Sequence, residues 1–79
     1  MFADIIIDIA HEAVDRIFEY KVPVELIEKA AIGKTAIVPF GNGNRSRTGY
    51  IVGLKEVPEF DPNLIKSILD IKDNEIESQ

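Results

Sequence analysis

The stretch that decides the fold is VPFGNGNRSRTGYIVGL, residues 38–54. It holds two apolar runs separated by a polar break of nine residues that begins and ends with glycine. β-Branched and aromatic residues on both sides of such a break predict two antiparallel strands in a hairpin, placed at residues 35–40 and 48–55. A hairpin needs only a turn, yet this break also carries Arg45 and Arg47 and no acid. It is therefore equipped to meet something negatively charged.

The basic break stands out because the chain as a whole is acidic. The 79 residues carry 9 basic and 14 acidic side chains, for a formal net charge of −5. Residues 32–55 nevertheless hold four of the basic side chains and no acidic one. The negative net charge argues against a general nucleic-acid binder, which needs basic surface along many phosphates. The basic island predicts either a local contact with an anion or an ordinary solvated hairpin loop.

Length and composition restrict the class of protein. A chain of 79 residues makes one domain at most, and 46% hydrophobic residues are typical of a globular protein. Because there is no cysteine and the only histidine is His11, disulfides are excluded and an all-protein zinc site is not expected. The sequence shows no signal peptide and no apolar run of membrane-spanning length. We therefore expect a cytoplasmic protein with no membrane partner.

The rest of the chain predicts three further strands and one short helical segment. Apolar residues alternate with other residues in the first two strands, helix-forming residues follow Pro23, and β-branched residues mark the last strand. The strands are placed at residues 3–10, 17–22 and 65–71, and the helical segment at residues 24–31. A short helix over residues 64–71 is the alternative to the last strand. Five short strands with glycine-bearing turns predict a mainly β fold, a small antiparallel β-barrel of OB-like or SH3-like form. Residues 1–73 make up this single domain, and the acidic residues 74–79 are expected to form a frayed tail.

The sequence offers no constellation for catalysis. It contains no Cys–His pair, no plausible Ser–His–Asp arrangement and no glycine-rich loop ending in Lys-Ser or Lys-Thr. Binding is better supported, because a glycine such as Gly41 lets a ligand approach the backbone closely. If the strand continues into the polar break, Arg45 and Arg47 project from one face and contact one or two phosphates.

The aromatic residues of the second strand allow two interpretations. Phe18 and Tyr20 share a face, so they either pack in the core or offer a surface on which bases stack. Glu19 lies between them and points to the opposite face, where solvation is its simplest role.

The ordered set IFEYKVP, GKTAIVPFG, TGYIVGL and IKSILDI resembles the amino-terminal domain of the primosomal replication-restart helicase PriA. That family combines an aspartate and a Phe-Asp-Tyr tripeptide with a Val-Pro-Phe-Gly run, a loop of variable length, and a glycine that opens the next strand. The matching residues here are Asp15, Phe18, Tyr20, Pro23, Gly33, Val38, Pro39, Phe40, Gly41, Gly49, Tyr50 and Val52. The resemblance covers nearly the whole chain.

The resemblance implies a DNA-binding module that recognises the 3′ end of the nascent leading strand at a stalled replication fork. The end-binding residues that it implies are Phe18, Glu19, Tyr20, Gly41 and Lys66. The expected partners are single-stranded or forked DNA with a free 3′ end and the remaining domains of the parent helicase, in a nucleoid-associated setting. The chain is expected to be a fragment that ends before the helical, winged-helix and helicase parts. It would then have no enzymatic activity and no cofactor, since ATP and zinc belong to those other parts.

Glu19 stands where the family usually has Asp. A carboxylate at this place accepts a hydrogen bond from a 3′-hydroxyl or a base amino group and repels a continuing phosphate. The extra methylene implies either a slightly deeper pocket or looser reading of the terminus. The alternative function is a small barrel that docks on other domains or on an accessory protein, with Phe2, Tyr50 and Phe60 as possible exposed anchors.

Overall fold

The computed structural model describes residues 1–7 and 16–73. The elements are β1 (Phe2–Ile7), β2 (Arg16–Lys21), the 3-10 helix η1 (Val24–Lys29), β3 (Thr35–Phe40), β4 (Arg45–Lys55), the 3-10 helix η2 (Pro62–Leu64) and β5 (Asp70–Lys72). The predicted mainly β fold with a short helical segment after Pro23 is confirmed. The predicted continuation of the first strand to residue 10, together with His11, Asp15 and the tail 74–79, lies outside the described residues.

The five strands form one antiparallel sheet in the order β2-β1-β4-β3-β5. The predicted barrel does not close. Across the described residues, β2 meets the segment before β5 at one parallel bridge, Lys21 with Ser67. There the Lys21 N–H donates to the Lys66 carbonyl at 2.8 Å, and the Ile68 N–H donates to the Lys21 carbonyl at 3.0 Å. The result is an open, curled sheet whose two edges touch at a single point.

One face of this sheet forms the core. In β1 every second residue is fully buried, as the period-two pattern predicts. The buried apolar residues are Ala3, Ile5, Ile7, Tyr20, Val22, Leu26, Ala36, Val38, Ile51, Ile68 and Ile71. They come from all five strands, from η1, from Val22 between β2 and η1, and from the segment before β5, so that these elements are held by burial against the same cluster.

The glycine of TGYIV is required by the packing of the two central strands. A Cβ atom on Gly49 would lie 2.5 Å from Ile5 Cγ2 and 2.8 Å from the Ile6 carbonyl oxygen. Four residues after Gly49, the register between β1 and β4 shifts: Asp4 pairs with Gly53, whereas the next residue, Ile5, pairs with Ile51. This β-bulge re-aims the end of β4 relative to β1.

The hairpin break is shorter than predicted. β4 begins at Arg45, so the turn contains only residues 41–44. Gly41 and Asn44 have φ values of 76° and 50°, and the Asn44 N–H donates to the Gly41 carbonyl at 3.1 Å. Positive φ at both ends reverses the chain within four residues, and glycine adopts it at little cost. The basic residues therefore belong to a strand and not to a loop.

The prediction of a last strand at residues 65–71 is wrong in extent, since β5 covers Asp70–Lys72. The preceding backbone bonds to two different strands: the Ile68 N–H donates to the carbonyl of Lys21, the last residue of β2, whereas the Leu69 N–H donates to the Ile37 carbonyl of β3 at 2.8 Å. A segment that crosses from one edge of the sheet to the other cannot follow a single ladder. β-Propensity in Ile65 and Ile68 does not reveal this crossing.

Candidate functional site

A cleft of about 600 Å³ runs along the outer strand β2. Its walls come from β2, from the end of β3 with the turn that follows, and from residues 60–66. All five residues that the resemblance implied line it, namely Phe18, Glu19, Tyr20, Gly41 and Lys66. These residues are up to 48 positions apart in the chain, from Phe18 to Lys66. The bridge between Lys21 and Ser67 brings their two segments together.

Lys66 and Gly41 both line the cleft and are in direct contact. The Lys66 ammonium donates to the Gly41 carbonyl at 2.8 Å, and both residues are exposed. An ammonium group has three donors, so this contact leaves others for an anion. The carbonyl thus holds a positive charge in an exposed part of the cleft lining.

The aromatic residues of β2 differ in their surroundings. The Tyr20 side chain is buried, and its hydroxyl donates to the Pro39 carbonyl at 2.7 Å. Burial raises the pKa of this hydroxyl above its usual range. Core packing is therefore the correct interpretation for Tyr20. Phe18 is half-buried and meets Phe40 edge to face, with ring centroids 5.1 Å apart and an angle of 80° between the planes.

Glu19 is not the solvated side chain that its place on the outer face suggested. Only 3% of its side chain is exposed. Its Oε1 accepts from the Glu59 N–H at 3.2 Å and from the Phe60 N–H at 3.0 Å, and its Oε2 accepts from the Glu59 N–H at 2.9 Å and contacts the Lys55 ammonium. Three donors therefore hold the carboxylate, and one of them, the Glu59 N–H, is shared between its two oxygens. The carboxylate ties β2 to the loop after β4.

Lys55 makes this arrangement electrostatically possible. Asp4 and Glu19 are directly opposite each other on β1 and β2, where two like charges repel. The Lys55 ammonium lies 3.0 Å from Asp4 Oδ1 and also contacts Glu19, and hydrogen bonds to these two carboxylates raise the pKa of Lys55. Burial by itself would raise the pKa of Glu19, but the hydrogen bonds from Lys55 and from the backbone of Glu59 and Phe60 outweigh it and hold that pKa below its usual range.

Arg45 and Arg47 do not line the cleft. Both are exposed on β4, where Arg45 is opposite Phe40 and Arg47 is opposite Val38. Directly opposite residues of an antiparallel pair share a face, so both arginines lie on the side of the sheet to which Phe40 and the cleft belong. The sequence predicts a shared face for the two arginines if the strand continues through both of them, and β4 does so.

Three residues of the site escaped the sequence-based reasoning in whole or in part. Phe60 was singled out only as an exposed anchor, and it lies in the wall of the cleft. Phe40 was noted only within the Val-Pro-Phe-Gly motif. Lys55 gave no signal, because its two acidic partners are 36 and 51 positions away in the chain and become neighbours only through the strand register.

Residues 1–7 and 16–73 offer no metal site: no group of three or more acidic, histidine or cysteine side chains in these ranges is arranged to hold a metal ion. No helix among them has the length and apolar character needed to cross a membrane.

Two comparisons with known proteins show the family of this chain. Residues 4–78 match the family model of the 3′ DNA-binding domain (3′BD). The chain is also 33% identical, over 72 residues, to the replication restart protein PriA of Bacillus subtilis (strain 168). The aligned part covers 91% of this chain and 9% of that protein. The chain therefore spans about a tenth of the length of this relative.

Proposed function

This chain belongs to the family of 3′ DNA-binding domains, and we propose that its cleft receives the 3′-terminal nucleotide of a DNA strand during replication restart. The observation that carries the proposal is the convergence of Phe18, Glu19, Tyr20, Gly41 and Lys66 on one cleft. The resemblance named these residues as a set without any knowledge of their distances. A cleft of about 600 Å³ also falls within the range of about 300–1,000 Å³ in which small ligands such as a nucleotide are held.

The charges of the cleft suit one terminal nucleotide better than a continuous strand. Lys66 is the cation of its lining, and Glu19 and Asp61 are the acids. In our proposal, the ammonium binds the phosphate on the 5′ side of the terminal nucleotide. A further phosphate on the 3′ side would meet the carboxylates of Glu19 and Asp61 in the lining. Next to the cleft, Glu19 forms a cluster with Asp4 and Lys55 that carries two negative charges and one positive. Repulsion of that phosphate selects a chain end.

This assignment also accounts for an acidic domain that binds DNA. A chain end offers few phosphates, so one lysine in the cleft and a few cations nearby are sufficient. We propose that Arg45 and Arg47 contact the strand backbone outside the cleft, since they are exposed on the same side of the sheet as Phe40. Recognition without base-specific donors tolerates any terminal base, which suits a module acting at any fork.

The parent of such a module is, in this proposal, a replication-restart helicase, and the remaining domains of that helicase are its partners. The module itself binds and orients DNA and carries out no reaction. Its place of action is the nucleoid.

The test is fluorescence anisotropy with one labelled single strand in two forms, ending in a 3′-hydroxyl or in a 3′-phosphate. We expect binding of the first form and a clear loss of affinity for the second. The variant Lys66→Ala is expected to weaken binding, while the matched control Lys72→Ala removes an exposed lysine outside the cleft and leaves binding unchanged.

Two results would contradict the proposal. Equal binding of both strands would indicate a nonspecific contact, for which the exposed residues Arg45 and Arg47 are candidates. Absence of binding to either strand at high protein concentration would favour a protein-interaction module, with Phe60 and Tyr50 as exposed anchors at 66% and 50% exposure.

A further inference from the structure

The exposure of the aromatic residues in the cleft is uneven. Tyr20 is 4% exposed and its hydroxyl is bonded to Pro39. Phe18 and Phe40 are half-buried against each other. Phe60, by contrast, is 66% exposed although it lines the cleft. A large apolar ring that is held open to solvent beside a cleft is a surface for a ligand that brings its own apolar face.

The backbone of Phe60 is held in place from both sides. Its own N–H donates to Glu19 Oε1 at 3.0 Å, and the N–H of the preceding Glu59 donates to the same carboxylate. On the other side, Asp61 accepts from the Asn63 N–H at 2.9 Å and so caps η2. A ring on a pre-ordered loop loses little conformational freedom when a ligand binds.

Glu19, which anchors this loop, is itself held by contacts within the sheet. Glu19 on β2 contacts Lys55 at the end of β4, and Lys55 contacts Asp4 on β1. Three neighbouring strands therefore fix the position of the loop that carries Phe60. The same contacts cover the Glu19 carboxylate on the side of the loop, and 3% of its side chain is exposed, so direct contact with a ligand requires the loop to move.

We propose that Phe60 is the residue on which the terminal base stacks, and that Glu19 is a positioning residue that acts through the backbone of Glu59 and Phe60. This inference rests on the proposed function and adds to it a binding residue and a mechanism for the carboxylate. Glu19 then supports DNA binding by holding the loop that carries Phe60, and its negative charge still repels a phosphate on the 3′ side.

The first experiment measures whether Phe60 contacts a base. Anisotropy titrations compare two strands ending in a 3′-hydroxyl, whose last nucleotide is either normal or abasic. Each strand is titrated with the unsubstituted chain, called the parent in these experiments, and with Phe60→Ala. We expect Phe60→Ala to weaken binding of the normal strand by about 5- to 150-fold, the range for one stacked base. It is expected to leave binding of the abasic strand unchanged, because no base is present to stack. Phe60→Tyr keeps the ring and is expected to restore most of the affinity.

The matched control is Val57→Ala, which truncates another exposed apolar side chain of the same loop that does not line the cleft. We expect this variant to bind both strands like the parent. Equal weakening of both strands by Phe60→Ala would overturn the stacking role, since the loss would then be independent of the base.

The second experiment tests the role of Glu19 with a double-mutant cycle. If Glu19 acts through Phe60, Glu19→Ala weakens binding of the normal strand in the parent but adds little in the Phe60→Ala background. Additive losses would show that the carboxylate contributes independently of Phe60, which would overturn the positioning role.

The two proposals fail in distinguishable ways. If the parent prefers a 3′-hydroxyl over a 3′-phosphate and Phe60→Ala binds like the parent, the stacking proposal is wrong and the end-binding function stands. If the parent does not distinguish the two termini but Phe60→Ala weakens binding of the normal strand and leaves binding of the abasic strand unchanged, the ring contacts a base and end recognition is wrong. If the parent binds neither strand, both proposals are wrong.

Discussion

Replacing Gly49 by alanine tests the closest approach of two strands in this fold. Gly49 is buried in β4 between its partners Ile7 on β1 and Ala36 on β3. An added Cβ would lie 2.5 Å from Ile5 Cγ2, 2.8 Å from the Ile6 carbonyl oxygen and 3.3 Å from Ile7 Cγ1. The substitution therefore inserts one methyl group at a place where β1 already touches β4.

The loss of unfolding free energy caused by Gly49→Ala depends on which of the contacted atoms are able to move. Overpacking of a well-packed core costs about 1–3 kcal/mol. The Ile5 side chain is fully buried within the core, and the Ile6 carbonyl belongs to the strand backbone. We therefore take the upper end, about 3 kcal/mol. Alanine reduces the conformational freedom of the unfolded chain by about 0.4–1 kcal/mol, which offsets part of this. The expected net loss is about 2 kcal/mol of unfolding free energy.

The assay is urea unfolding followed by far-ultraviolet circular dichroism, with thermal unfolding alongside. A loss of about 2 kcal/mol lowers the melting temperature of a domain of this size by about 8–16 °C. The control is Gly43→Ala: a Cβ on Gly43 meets no atom within 4 Å, and its φ is not in the left-handed region. We expect that variant to be as stable as the parent or slightly more stable. A Gly49→Ala protein with the stability of Gly43→Ala would refute the reasoning about the contact between β1 and β4.

Three further predictions concern the site. Tyr20→Phe removes the 2.7 Å hydrogen bond to the Pro39 carbonyl and is expected to lower the unfolding free energy by about 1 kcal/mol in urea titrations; an unchanged midpoint would contradict it. Because the pKa of Glu19 is lowered in the folded state, its contribution to stability is complete above the ordinary value of 4.5 and is lost as pH falls through the lower folded value. The stability difference between the parent and Glu19→Gln is therefore expected to shrink below pH 4.5 in denaturant titrations, and a difference that persists in acid would count against the ionised contact. DNA affinity is expected to fall with salt at a log–log slope of roughly −0.7 per phosphate, so Lys66→Ala removes about 0.7 from the slope, whereas an unchanged slope would mean that Lys66 meets no phosphate.

Much of the fold was predictable because it depends on local patterns. The period-two alternation in β1 placed Ile5 and Ile7 on the buried face, and the glycines around the polar break predicted a hairpin. The limits of the last strand were not predictable. The backbone partners of Ile68 and Leu69 belong to different strands, and side-chain propensity carries no information about them.

The candidate site divides in the same way. The resemblance named Phe18, Gly41 and Lys66, and the structure has them in one cleft. The partners of Glu19 were not predictable, because Lys55 and the N–H groups of Phe60 and its neighbour become adjacent only through strand register and the course of a loop.

The sequence by itself determined the strand-rich class, the buried face of each well-patterned strand and the family to which the chain belongs, because these depend on residue type and spacing. Only the tertiary structure decided that the sheet stays open and that Tyr20 is buried with its hydroxyl bonded to Pro39. It also decided that the Glu19 carboxylate is bonded to the loop after β4. The physical reason is that hydrogen bonds and ion pairs between distant segments depend on distances of a few ångströms. Those distances are set by how the whole chain packs.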